Sequence, residues 1–212
     1  MTHSLHRQGT AENLSGDYII FAIAAQGINA KGSAPLYAKF SEIVEKYGPV
    51  NLGDMRTGNT YSKDVATVRR STQDNSIYHA VFTDPKKVAA ALADLKAADL
   101  GLSIVLSGLF EHLGPCCEAG GVERHTIEHS LGVWGNTARL PSPGVLQVST
   151  MCGHGMVGFP LIKDAVERVR AGSWTAKKAA ETLACQCHCG IFNPVRAERL
   201  IEAMAGAEQA AD

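Results

Sequence analysis

The chain has 212 residues, 20 Lys and Arg against 21 Asp and Glu, and a formal net charge of −1. That near-neutral balance supplies no bulk attraction for nucleic acid or for an anionic membrane surface. With 45% hydrophobic and 19% charged residues, the chain has the makings of a globular core and is not a disordered segment.

Residues 1–16 (MTHSLHRQGTAENLSG) are polar, lack the apolar stretch of a secretory signal, and read as a flexible tail. The longest pure apolar run, residues 18–25 (YIIFAIAA), is strand-sized. It falls short of the ~20 residues needed to span a bilayer. A cytoplasmic location is expected.

Residues 17–25 read as a buried strand, and 27–32 as a loop. Ser33 and Pro35 open a helix on which Leu36, Phe40, Ile43, Val44 and Tyr47 recur at helical spacing. Gly48-Pro49 ends it. Residues 50–60 hold a short strand and a polar loop, and residues 62–70 carry no decisive pattern. Residues 76–82 (SIYHAVF) form a strand by β-branched and aromatic content. Thr83-Asp84-Pro85 opens a helix with Val88, Leu92 and Leu95 on its apolar face, and residues 100–106 form the next strand. This order fits a ferredoxin-like split βαβ unit over residues 17–106, or a small α/β layer.

The second half, residues 107–205, begins with a helical stretch to Ala119, interrupted at Gly114-Pro115 just before Cys116-Cys117. Residues 125–134 (HTIEHSLGVW) and 144–150 (GVLQVST) are strand candidates. Residues 151–155 (MCGHG) form a loop, followed by helices over 156–170 and 175–184. The run CQCHCGIF then precedes a last helix, opened by Asn193-Pro194 and reaching Ala205. The expected fold class is thus α/β (α+β), with two sheet-containing halves and a metal site in the second.

All six cysteines lie beyond residue 115, at element ends: Cys116 and Cys117, Cys152, and Cys185, Cys187 and Cys189. In a chain of this size such clusters are ligands or catalytic groups more often than a disulfide scaffold. Structural zinc favours paired C-x2-4-C spacing, whereas C-x-C is what occurs here. Iron–sulfur clusters accept looser spacing from convergent loops. One cysteine from each place, Cys117, Cys152 and Cys187, with Cys116, Cys185 and Cys189 as near-equal substitutes, would hold a [4Fe-4S] cluster with one iron open.

His154, flanked by Gly153 and Gly155, is a ligand or general acid–base candidate. His129 is a second proton carrier, with Ser130 and Trp134 as pocket lining; His125 shares its face. Arg56, in the loop after residue 50, suits a substrate carboxylate. G-x-G-x-x-G, Walker A and G-x-S-x-G sequences are absent. The expectation is an iron–sulfur enzyme of lyase type, dehydrating, hydrating or desulfurating a small polar substrate. The alternatives are a zinc enzyme or a thiol-based metal carrier or redox sensor. A small-molecule partner is expected, with neither nucleic acid nor membrane; a homo-oligomer is left open.

Overall fold

In the computed structural model, which describes residues 4–207, the apolar run near the start becomes β1 (Tyr18–Ile23), an inner strand of one antiparallel sheet. The other strands are β2 (Asn51–Asp54), β3 (Gly58–Asn59), β4 (Ile77–Phe82) and β5 (Ser103–Ser107). Their spatial order is β3-β2-β4-β1-β5. β1 pairs with β4 on one side and β5 on the other, so Phe21 lies opposite both His79 and Val105.

Being covered on both faces, β1 is apolar throughout. Alternation along the strand still sorts its side chains into two cores. Ile19 and Phe21, with Val81, face one; Tyr18, Ile20 and Ala22, with Ala80 and Phe82, face the other. The second core is closed by α2 (Ala34–Glu45) and α4 (Pro85–Ala98), through Tyr37, Phe40, Val44, Val88 and Leu92. The first is closed by helices of the second half. The result is a sheet between two helical layers.

Local chemistry places the ends. Pro35 and Pro85 sit in the first turns of α2 and α4, where a missing N–H costs nothing. The Asp84 carboxylate accepts from the Lys86 N–H at 2.9 Å, capping α4. The undecided stretch resolves into α3 (Val65–Arg70), because Asp64 accepts from the Thr67 N–H at 2.8 Å.

The second half contains α5 (Phe110–Ala119), α6 (Pro143–Ser149), α7 (Phe159–Arg170), α8 (Ala176–Gln186) and α9 (Pro194–Ala207). Two expectations are corrected. Among the described residues no strand follows Ser107, so the sheet belongs to the first half alone. Residues 144–150 lie mostly in α6, where Pro143 starts the turn and Val145, Val148 and Ser149 are buried at helical spacing. Residues 125–134 are irregular and almost wholly exposed; without a partner strand their alternation buries little. α5 runs through Gly114-Pro115 without the expected interruption.

Residues 4–16, read as a tail, hold α1 (Ala11–Leu14), capped by the Thr10 hydroxyl. Residues 1–3 of that tail lie outside the described residues. No described helix is long and apolar enough to cross a membrane.

Candidate thiol site

Two loops of the second half meet beneath β2. The first joins α6 to α7. It turns through Cys152, whose N–H donates to the Ser149 carbonyl at 3.0 Å and whose carbonyl accepts from the Gly155 N–H at 3.1 Å. The second follows α8. The Cys187 N–H closes the helix on the Ala184 carbonyl at 3.1 Å, and the Gly190 N–H returns to the Cys187 carbonyl at 2.9 Å. Gly190 has φ of +74°, a left-handed conformation that suits glycine. Asn193 ends the loop by accepting the Arg196 N–H at 3.0 Å, capping α9.

The second loop is fastened to the sheet by buried amides. Asn59 donates to the Ala184 and Cys187 carbonyls at 3.2 and 2.8 Å, a second donor for each beside its backbone N–H. Asn51 donates to the Phe192 carbonyl at 2.9 Å. Gly53 of β2 touches the loop directly: a β-carbon there would stand 2.6 Å from the Cys189 carbonyl oxygen.

A buried charge cluster holds the far side. Asp17, which is fully buried, receives Arg196 at 2.9 Å, the Asn193 amide at 3.0 Å, and Arg7. Burial works to raise the Asp17 carboxyl, but Arg7 and Arg196 outweigh it and hold the group below the ordinary carboxylate range. Arg7 also donates to the Ile191 carbonyl, and to the Met151 carbonyl at 3.3 Å, so one side chain touches both loops.

Within this frame Cys152, Cys187 and Cys189 are buried in the core shared with Phe192 and Ile191. The Cys187 thiol lies between those of Cys152 and Cys189, near enough to shift the acidity of both. Backbone N–H groups of His154 and Met156 bond Cys152, that of Phe192 bonds Cys187, and that of Ile191 bonds Cys189. The hydrogen bond with Cys187, together with burial, drives the Cys152 thiol far above its ordinary value. Cys187 is eased by Cys152, but its bond to Cys189 and its burial prevail and push it up to about 12. Cys189 is held below its ordinary value by the hydrogen bond from Cys187, against burial and with help from the Ile191 N–H. Negative charge is therefore best placed on Cys189. His154, exposed on its loop, brings Nδ1 to 3.9 Å from Cys189 Sγ. As they stand, no three His, Cys, Asp or Glu among the described residues form a ready metal-holding group.

The expected one-from-each-place set is not brought together. Cys116 and Cys117 lie on α5, and Cys116 belongs to the core on the opposite face of the sheet, its thiol 3.7 Å from the Pro85 carbonyl. Burial pushes both thiols up. Cys185 ends α8 on the surface, donating to the Tyr61 carbonyl at 3.0 Å. Arg56 is exposed in the β2–β3 turn, bonded to the Asn75 carbonyl at 3.2 Å. His129, Ser130 and Trp134 lie on the irregular segment after α5. His129 and Ser130 line a groove at the β5 edge, across the sheet from β2, with Ser130 Oγ 3.2 Å from His6 Nδ1. Trp134 is 82% exposed.

Sequence reasoning passed over Gly53, Asn51, Asn59, Arg7 and Asp17, which position the loops. A glycine inside a strand is the one available signal, since it marks a close backbone approach. No protein-family model, curated protein or solved structure matches the chain.

Proposed function

We propose that the chain binds an iron–sulfur cluster or a comparable soft metal on Cys152, Cys187 and Cys189, and uses it as a lyase on a small polar substrate. The observation that carries this reading is the convergence of three thiols from two distant loops, each sulfur met by backbone N–H groups. Such N–H groups stabilise thiolates, and a soft metal takes up sulfur as its protons leave. The arrangement described is that of protonated thiols, and metal uptake would require the three sulfurs to turn toward a common centre. Cys152, Cys187 and Cys189 would hold the cluster, which would supply Lewis-acid chemistry to a polar group of the substrate. His154, beside Cys189 and open to solvent, carries the proton.

Zinc on Cys152, one cysteine of the 185–189 run and His154 is the alternative within the same site. A second reading has its own support. Cys187 is near enough to both Cys152 and Cys189 to shift their acidity, a proximity that suits disulfide exchange in a thiol-based carrier or sensor. A cytoplasmic location suits either reading, since all six cysteines are free. For the first half we propose a ferredoxin-like unit, supported by the order β2-β4-β1-β5 with α2 and α4 as the crossovers.

Anaerobic purification with iron, sulfide and zinc analysis tests this. Iron and sulfide are expected in the native chain, lost in Cys152→Ser, Cys187→Ser and Cys189→Ser, and kept in Cys116→Ser and Cys117→Ser. Zinc without sulfide replaces the cluster by the alternative. A metal-free protein overturns both and leaves the disulfide reading.

A further inference from the structure

We infer that β5 is a self-docking edge: two copies of the chain pair through it, antiparallel about a two-fold axis, to make one continuous sheet. This is independent of the thiol site.

β5 ends the sheet. Its register with β1 runs without a bulge from Ile23–Ser103 to Ile19–Ser107, and among the described residues its outer side has no hydrogen-bonded partner. Natural edges are blunted by charge, proline or bulges. This one, Ser-Ile-Val-Leu-Ser, has none, and Ile104, Val105 and Leu106 are only half-buried whereas β1 is nearly all enclosed. The edge opens into a groove of about 780 Å³, walled by Leu92, Leu95, Phe110, Leu113 and the segment after α5. That segment displays Ile127, Leu131, Val133 and Trp134 to solvent. Among the described residues the backbone of 123–134 makes no hydrogen bond to β5.

A row of unpaired backbone groups calls for another strand and not for a lipid, which has no donors along its tail. The sequence of β5 selects its own copy. Antiparallel pairing centred on Val105 sets Ser103 opposite Ser107, Ile104 opposite Leu106, and Val105 opposite itself, so polar meets polar and aliphatic meets aliphatic. The groove rim carries both signs, Lys96 and Arg124 with Asp99 and Glu123, so two copies do not meet uniform repulsion. The exposed apolar residues of the 127–134 segment flank the same junction and would be covered with it.

Sedimentation of the full chain tests the inference, with hydrogen exchange read at low and high protein concentration. A dimer is expected, with protection of β5 amides rising with concentration. Val105→Lys and Val105→Glu should each weaken dimerisation at least about tenfold by setting like charges opposite one another, and their mixture should restore it. Circular dichroism checks that each variant folds; if one does not, exchange on the native chain decides. A monomer at all concentrations, a dimer whose β5 amides stay unprotected, or a monomer whose groove takes up an apolar dye overturns the proposal.

Discussion

Gly53 and Gly190 meet backbone to backbone: a β-carbon on Gly190 would stand 2.5 Å from the Gly53 nitrogen, and one on Gly53 would stand 2.7 Å from the Gly190 α-carbon. The thiol loop can lie on β2 only because neither residue has a side chain. Gly53→Ala should destabilise the fold by about 1–3 kcal/mol, the range for overpacking. It should also speed modification of Cys187 and Cys189 by a thiol reagent, because the loop must lift. Urea unfolding and timed alkylation check the two effects; unchanged alkylation would mean that the contact does not set the loop.

Asp17→Asn leaves Arg7 and Arg196 buried against a neutral amide. Removing one partner from a buried ion pair costs about 3–5 kcal/mol. A shift of that size in the urea midpoint, at constant slope, is expected.

The same carboxylate sets an acid limit. Its folded value lies below the unfolded one of about 3.9, so the folded state binds fewer protons than the unfolded chain across that interval. Its stabilisation is complete above the unfolded value and is lost as pH falls through the folded value. Native stability should drop more steeply below pH ~4 than that of Asp17→Asn, as measured by urea titrations over an acid series.

The thiols should react in a fixed order. Cys185 is exposed and should be alkylated first at neutral pH. Cys189, held below its ordinary value, should follow, and Cys187 and Cys152 should resist. Mass spectrometry of a metal-free sample gives the order directly. Cys152 ahead of Cys189 would contradict the hydrogen-bond ladder.

Asn59→Ala removes two side-chain hydrogen bonds, leaving the Ala184 and Cys187 carbonyls only their backbone donors. About 1–3 kcal/mol of stability should go with them, read by thermal or urea unfolding.

The strands of the first half were legible because β1, β4 and β5 are dense in β-branched and aromatic residues, and Asp84-Pro85 marks α4 without ambiguity. Residues 144–150 misled because GVLQVST is rich in β-branched residues, as strands are. Pro143 argues for the helix, and so does the spacing of Val145 and Val148, which share a face on a helix and point opposite ways on a strand. At the site, CQCHCG and CGH pointed to two loops that do converge. The Cys116-Cys117 pair looked equivalent, but which face of a sheet a helix covers is set by chain crossings that no local pattern records. Asn51, Asn59 and Asp17 were invisible for a related reason, since a polar residue in or beside a strand reveals nothing about a partner more than a hundred positions away.

Arg7 sits in the stretch of chain most easily mistaken for dispensable. Its guanidinium reaches Asp17 and a carbonyl from each sulfur-bearing loop. Trimming the first ten residues would therefore loosen both loops together, and damage done at the amino terminus would be felt at the sulfurs.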